Sequence, residues 1–187
     1  MRITAVLLAG GKSRRMGRDK ATIEWRGRPL WEWQIEKLRA LRAEKIFLSM
    51  QSDVLWRPAD VELLPDVPPS RGPLSGLAAA LASTEADHLL ALAVDMPFMS
   101  TEHLRLLCGL ADNGMGVIPM IDGRAEPLSA IYPKEARAVF VEALQSDNLS
   151  LQPIVASLVA SNMLRVMPVS GLACRLYKSV NEPRDVD

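Results

Sequence analysis

Short apolar runs alternate along the chain with segments whose apolar residues recur at helical spacing. Seven runs predict strands, at residues 3–8, 45–49, 62–64, 89–94, 116–120, 128–132 and 164–168. Between them lie apolar stripes typical of amphipathic helices, formed by Leu104, Leu107, Cys108 and Ala111, by Ala136, Val139, Phe140, Ala143 and Leu144, and by Leu151, Ile154, Val155, Leu158 and Val159. This alternation predicts an α/β fold with a mostly parallel, Rossmann-like sheet and helices on both faces.

Helix starts carry their own signals. Pro29 and Pro73 stand where two helices are expected to begin, Pro133 falls in the first turn of another, and Ser100 before Thr101 predicts an N-cap. No repeat, linker or low-complexity tract interrupts the pattern, so we expect a single domain over residues 1–187.

Composition limits the choice of partners. The chain has 187 residues, of which 49% are hydrophobic, which suits one compact domain with a substantial core. Lys and Arg number 22 and Asp and Glu number 22, so the formal net charge is zero. With no overall positive field, neither nucleic acid nor an anionic membrane is an expected partner, and any basic cluster is a local feature.

Cysteine and histidine content bears on compartment and metal. Cys108 and Cys174 are far apart in the sequence, and Cys108 lies on a helix stripe, so we expect no disulfide scaffold and a reducing cytoplasm. The first apolar run is too short to span a bilayer, and no targeting segment is recognised. With two histidines and no close cysteine pair, zinc has no expected site, so any metal should be a hard cation held by carboxylates.

The most informative segment runs from Leu8 to Lys20, directly after the first predicted strand. It contains three glycines and the cations Lys12, Arg14, Arg15 and Lys20. Glycines allow a backbone to approach a ligand closely, and the cations favour a strongly anionic one, so a polyphosphate fits best. The spacing matches neither a Walker A loop nor G-x-G-x-x-G. The alternative is an ordinary strand-to-helix loop with a solvated basic face.

Asp95 ends another almost purely apolar strand. The carboxyl ends of parallel strands share one edge of a sheet, so we expect Asp95 beside the first loop. A carboxylate facing bound phosphates is suited to Mg²⁺, which takes few protein ligands. The alternative is that Asp95 caps the turn before Pro97.

Three further segments carry candidate polar groups. Asp66 is followed by the loop Arg71–Leu77, where Gly72 and Gly76 permit close approach and the following helix start could hold an anion or a base edge; an ordinary surface loop is the alternative. The segments 124–128 and 177–183 are polar enough to be solvated turns. No Ser/His/Asp or Cys/His nucleophile arrangement is visible, so the set favours phosphoryl or nucleotidyl transfer.

Taken together, these motifs resemble those of the molybdenum cofactor guanylyltransferases. The resemblance rests on Leu8-Ala9-Gly10-Gly11, Arg15-Met16-Gly17, Asp19-Lys20, Gly27-Arg28-Pro29-Leu30, Gly72-Pro73-Leu74-Ser75-Gly76-Leu77 and Asp95-Met96-Pro97-Phe98. It extends from Ile3 to Asp185, nearly the whole chain. It implies a nucleotide-diphospho-sugar transferase-like fold.

The same resemblance implies an activity and its residues. The enzyme would join GMP from Mg²⁺-bound GTP to the terminal phosphate of molybdenum-molybdopterin and release pyrophosphate, with molybdoenzyme apoproteins or their chaperones as candidate recipients. By position, the nucleotide would be bound by Leu8, Ala9, Gly10, Gly11, Lys20, Ser49, Asp66, Gly76 and Asp95. Lys20 and Asp95 would be catalytic, and Asp95 would bind Mg²⁺. We add Arg15 as a further catalytic phosphate partner.

Two departures from the family pattern leave alternatives open. The terminal motif N-x-N-T-P has Ser179 and Glu182 in place of its first Asn and its Thr, and Ser49 stands where an Asn is common. Selectivity for guanine is inferred mainly from Gly10, where related cytidylyltransferases usually have Ala, and from the loop Gly72–Leu77. The alternatives are a cytidylyltransferase or another nucleotidyltransferase of this fold, or a nucleotide-binding regulator without turnover.

Overall fold

The structure, a computed structural model, describes residues 1–10, 19–65 and 71–180. The strands are β1 (Ile3–Leu8), β2 (Glu24–Trp25), β3 (Arg28–Pro29), β4 (Ile46–Met50), β5 (Val61–Pro65), β6 (His88–Ala93), β7 (Gly116–Ile121), β8 (Arg124–Ala125), β9 (Ser129–Pro133) and β10 (Leu164–Pro168). The α-helices are α1 (Leu30–Ala40), α2 (Pro73–Ser83), α3 (Thr101–Leu110), α4 (Arg137–Ala143) and α5 (Leu151–Ala160). Short 3₁₀ helices span Lys20–Thr22, Lys134–Ala136 and Gly171–Tyr177.

The main sheet has the strand order β10-β7-β9-β6-β1-β4-β5, with β8 added beside β7. Strands β1, β4, β5 and β6 are mutually parallel, and β10 is parallel to β7. Only β9 runs against its neighbours β6 and β7 along this path. The predicted α/β class with a mostly parallel sheet is therefore confirmed, and the carboxyl ends of β4, β1 and β6 lie side by side along one edge.

Helices cover both faces of the sheet, as predicted. One core cluster joins the sheet to α1 and α3 through Leu30, Ile35, Leu38, Leu104 and Leu107. The other joins it to α2, α4 and α5 through Leu74, Leu77, Leu81, Phe140, Val155 and Leu158. Because both faces are covered, β6 and β4 are buried at every residue, which explains their continuous apolar runs.

All seven predicted strands are present, each within one residue of its predicted ends. Pro73 is the first residue of α2, Pro29 immediately precedes α1, and Ser100 caps α3 by accepting a hydrogen bond from the amide of His103 at 3.1 Å. The helix expected from Ala136 to Leu144 is divided into a 3₁₀ turn and α4, and Pro133 is the residue before that turn rather than a member of it.

The prediction missed the two-residue strands β2, β3 and β8, which are too short to show periodicity. Their turns nevertheless carry a local signature. Asp122 and Gly123 both have positive φ, 48° and 76°, as a tight hairpin between β7 and β8 requires.

Two further expectations concern membrane and redox chemistry. Cys108 and Cys174 are both free thiols. Within the described ranges, no helix combines the length and apolar character needed to cross a bilayer.

Candidate active site

The end of β1 lies between the ends of β4 and β6. The amides of Ala9 and Gly10 both donate to the Ser49 carbonyl, at 3.1 and 2.9 Å, and the Val94 amide donates to the Leu8 carbonyl at 3.1 Å. These bonds hold the start of the loop in place. They also engage the two amide groups, so any contact of Ala9 or Gly10 with a nucleotide must use other atoms of these residues.

Lys20 is the first residue of a 3₁₀ turn that fixes its backbone. The Asp19 carboxylate accepts a hydrogen bond from the Ala21 amide at 3.0 Å, and the Thr22 hydroxyl donates to the Asp19 carbonyl at 2.9 Å. Ala21 is fully buried and anchors the turn on the core. Lys20 therefore extends from a held backbone toward the sheet edge.

The Lys20 ammonium lies 3.0 Å from Asp95 Oδ2. Their side chains are 27% and 19% exposed, so the pair is partly shielded from water. The expectation that Asp95 lies beside the first loop is met, because residues 75 positions apart form this ion pair. A cation and a hard carboxylate oxygen thus meet where β1 and β6 end.

The turn after β6 that carries Asp95 is held from two directions. From α1, the Gln34 amide donates to the Val94 carbonyl at 3.3 Å, and the Lys37 ammonium donates to the Pro97 carbonyl at 2.9 Å and to Gln34 Oε1 at 3.0 Å. From the C-terminal segment, the Val180 amide donates to the Asp95 carbonyl at 2.8 Å. The Asp95 backbone is consequently fixed before any ligand binds.

The contacts of Gln34 and Lys37 with the Asp95 turn were not predicted from the sequence. Gln34 is fully buried, and burial lowers the pKa of Lys37 to about 8. A signal was present, because Gln34 lies four residues from both Leu30 and Leu38 on the buried stripe of α1. A buried amide at such a position needs a partner, and here the partner is the Asp95 turn.

Gly76, in α2, allows helix and sheet to approach closely. A Cβ at this position would lie 2.8 Å from Leu8 Cδ2 and closer still to Ser49 Oγ. The close approach that the sequence suggested at Gly76 is therefore to Leu8 and Ser49, which places α2 directly behind the start of the first loop. Gly72, which precedes α2, has a φ of +66°.

The predicted site residues divide into two groups. The structure brings together Leu8, Ala9, Gly10, Lys20, Ser49, Gly76 and Asp95. Gly11, Arg15 and Asp66 lie outside the described residues. Among the residues that are described, no group of three or more His, Cys, Asp or Glu side chains could hold a metal.

Comparison with known proteins adds an independent result. Residues 5–161 match the MobA-like NTP transferase domain family. A protein of Opitutus terrae named "probable molybdenum cofactor guanylyltransferase" is 34% identical over 188 residues, covering 99% of this chain and 93% of that protein. A Bacillus subtilis protein of the same name is 32% identical over 163 residues, covering 83% and 79%.

Solved structures agree on the fold. The molybdopterin-guanine dinucleotide biosynthesis protein A of Archaeoglobus fulgidus superimposes with a TM-score of 0.73 at 24% identity, covering 98% of this chain and 94% of that one. The 2-C-methyl-D-erythritol 4-phosphate cytidylyltransferase of Thermus thermophilus superimposes with a TM-score of 0.69 at 17% identity, covering 100% and 96%. The family match over most of the chain and the closely aligned relatives lead to one conclusion: the chain belongs to the MobA-like NTP transferase domain family.

Proposed function

We propose that this protein is a molybdenum cofactor guanylyltransferase, which transfers GMP from Mg²⁺-bound GTP to the terminal phosphate of molybdenum-molybdopterin. A phosphate oxygen of the acceptor would form a bond to the α-phosphorus of GTP while the bond to the β-phosphate breaks and pyrophosphate leaves. The names of relatives at 34% and 32% identity support this reaction. The observation that carries it is the Lys20–Asp95 pair at the end of β1, 3.0 Å between charged atoms.

The donor set suits Mg²⁺. The Asp95 carboxylate is partly buried and offers a hard oxygen, and the described residues add no soft ligand cluster beside it. Mg²⁺ commonly binds through one or two carboxylates and completes its coordination with phosphate oxygens and water. Bound at Asp95, Mg²⁺ would neutralise negative charge that develops on the phosphates.

Lys20 and Asp95 balance each other's charge in the structure. When a metal-bound triphosphate enters, Lys20 would move its hydrogen bond from Asp95 to a phosphate oxygen, while Asp95 would exchange an ammonium partner for the metal. Each of the two side chains would therefore stay paired with a group of opposite charge, which limits the free-energy cost of removing it from water. The attacking phosphate is already anionic, so the reaction needs no strong general base.

The substrate test uses purified protein with Mg²⁺, molybdenum-molybdopterin and GTP, CTP or ATP in separate reactions. We expect pyrophosphate release with GTP and formation of the guanine dinucleotide product. A preference for CTP would instead favour a cytidylyltransferase. Binding of GTP without pyrophosphate release in any reaction would favour a nucleotide-binding regulator.

The site test compares two changes of the same kind. Asp95→Asn keeps the shape of the side chain but removes its charge, and we expect kcat to fall by about two orders of magnitude, the usual effect of losing one preorganised charge contact. Asp112→Asn, in an exposed turn before β7, should leave kcat unchanged. Near-normal turnover of folded Asp95→Asn protein would overturn the assignment of Asp95.

A further inference from the structure

The loop from Arg124 to Leu128 reaches the same sheet edge from the side opposite β1. It begins with β8 and leads into β9, which lies between β6 and β7. The Ala93 amide, at the end of β6, donates to the Leu128 carbonyl at 2.8 Å. The loop therefore ends where the Asp95 turn begins, with the Lys20–Asp95 pair on its β1 side.

Side chains of the core hold the backbone of this loop. The Gln152 amide group accepts a hydrogen bond from the Ala125 amide at 3.2 Å and donates to the Ala125 carbonyl at 2.9 Å. The hydroxyl of Tyr132, a fully buried residue, donates to the Pro127 carbonyl at 2.8 Å. The loop is therefore a rigid platform and not a solvated turn.

Two more hydrogen bonds fix Glu126 itself. Its amide donates to the Pro119 carbonyl at 2.9 Å, and its carbonyl accepts from the Ser129 amide at 3.2 Å. Both backbone polar groups of Glu126 are thus hydrogen-bonded, which sets the direction in which its side chain leaves the loop. Such preorganisation is what a recognition group requires.

The Glu126 carboxylate is half-buried, and no group in the described residues donates a hydrogen bond to it. Burial raises its pKa, while the charge of Arg124 opposes that effect. At the base of the same loop, the fully buried Ser129 hydroxyl also lacks a hydrogen-bond partner among the described residues. The loop therefore carries two polar groups that the described part of the protein does not satisfy.

Tyr177 lies near enough to Glu126 for the charge of that carboxylate to raise the pKa of its phenol, but its hydroxyl is already engaged. Its hydroxyl lies 2.6 Å from His103 Nε2, and its pKa is raised by burial and further by the negative charge of Glu126. Three residues later, Val180 binds the Asp95 carbonyl. The segment from Tyr177 to Val180 thus connects the surroundings of Glu126 to those of Asp95.

We propose that Glu126 recognises the ring of the acceptor substrate, by accepting hydrogen bonds from adjacent N–H donors of a 2-amino-4-oxo nitrogen heterocycle such as a pterin. This inference rests on the proposed function, which places a phosphorylated pterin beside Asp95. An ionised carboxylate is an acceptor only and can take two parallel N–H bonds, and the amino and ring N–H groups of such a heterocycle present that pair. The candidate nucleotide residues lie along β1 and β4, so the β9 side of Asp95 is the side left for the acceptor.

The test compares Glu126→Gln with Glu135→Gln, a matched change on an exposed residue of the 3₁₀ turn after β9. Glutamine keeps the size of the side chain but replaces one acceptor oxygen with a donor. We expect Glu126→Gln to raise KM for molybdenum-molybdopterin by about 10- to 100-fold, the effect of losing a charged hydrogen bond, with KM for GTP, the Mg²⁺ requirement and the thermal midpoint unchanged. Glu135→Gln should match the wild type in all four.

A direct binding experiment separates this inference from the proposed function. Free pterin is titrated into each protein and followed by its fluorescence, so no turnover is needed. We expect binding to the wild type and to Glu135→Gln, and at least about tenfold weaker binding to Glu126→Gln. Equal binding to all three, no pterin binding by the wild type, or a raised Mg²⁺ requirement in Glu126→Gln would overturn the inference, even if the enzyme releases pyrophosphate. Pterin binding that depends on Glu126, without pyrophosphate release, would overturn only the proposed reaction.

Discussion

Replacing Gly76 with alanine adds one methyl group at the point where α2 contacts the sheet. The new Cβ would lie 2.8 Å from Leu8 Cδ2 and 3.1 Å from Ser49 Cβ, with Ser49 Oγ nearer than either. Ser49 Cβ is bonded directly to the backbone of a buried strand, and Leu8 is itself buried, so these atoms have little freedom to move away. Either α2 shifts outward or the ends of β1 and β4 are displaced.

The expected change in the free energy of unfolding is the difference between two effects. Alanine favours a helix interior over glycine by about 1 kcal/mol. Inserting a methyl group into a packed core costs about 1–3 kcal/mol. We therefore expect Gly76→Ala to lower the free energy of unfolding by about 1 kcal/mol, equivalent to about 2–4 °C in thermal midpoint for a chain of this size.

Gly109 provides the matched control. It also lies within a helix, α3, but a Cβ there would meet no atom within 4 Å. Gly109→Ala should therefore gain the helix preference without the steric cost and raise the free energy of unfolding by about 0.5–1 kcal/mol. Urea unfolding of the two variants and the wild type measures the difference, which we expect to be about 2 kcal/mol in favour of Gly109→Ala.

The steric clash introduced by Gly76→Ala should also affect the candidate active site. The Ser49 carbonyl holds the amides of Ala9 and Gly10, so displacement of β4 should move the start of the first loop. We expect weaker nucleotide binding by Gly76→Ala and unchanged binding by Gly109→Ala, measured by calorimetric titration with GTP and Mg²⁺. Ser49→Ala removes the nearest colliding atom, so the Gly76→Ala/Ser49→Ala double variant should be more stable than the sum of the single effects predicts. Equal stabilisation by the two glycine replacements, with no coupling to Ser49, would refute this packing argument.

Two further predictions concern buried groups that titrate. Burial lowers the pKa of Lys37 from 10.5 to about 8, so between these pH values the unfolded chain binds the proton more strongly than the folded one. The wild type should therefore gain stability relative to Lys37→Met between pH 8 and 10.5, by at most about 3 kcal/mol in free energy of unfolding. Urea titrations of both proteins measure this difference. A flat or falling difference would contradict the burial of a charged ammonium. Burial also raises the pKa of the Cys108 thiol from 9.0 to about 11. At pH 8, iodoacetamide should alkylate the Cys108 thiol about 100-fold more slowly than it alkylates the thiol of glutathione. Peptide mass spectrometry follows the reaction, and alkylation of Cys108 at the glutathione rate would show that the thiol is not shielded.

The sequence was sufficient to place the central strands β1, β4, β6 and β9 because each is covered on both faces. A strand buried on both sides is apolar at nearly every residue, so its run is visible without knowledge of its neighbours. β6 illustrates this, since all six of its residues are buried and Asp95 lies two residues after its last residue, Ala93. Because parallel strands end at one edge of a sheet, the sequence also predicted that Asp95 and the first loop would meet there, and the Lys20–Asp95 pair shows that they do.

Strand direction was beyond the reach of the pattern. β9 has the same continuous apolar character as its neighbours, yet it runs antiparallel between β6 and β7. Periodicity records which residues are buried and carries no information on the direction of the adjacent strand. That reversal brings the loop containing Glu126 to the same edge as Asp95.

The roles of Gln34, Lys37 and Gly76 likewise emerged only from the folded chain. Each depends on a partner 60 residues away, or on helix-to-sheet distances set by all the surrounding side chains. What the sequence determined by itself was local: which segments are strands and helices, and which charged residues follow them. Only the tertiary structure decided which of those groups touch, because contact depends on the direction, order and spacing of elements far apart in the chain.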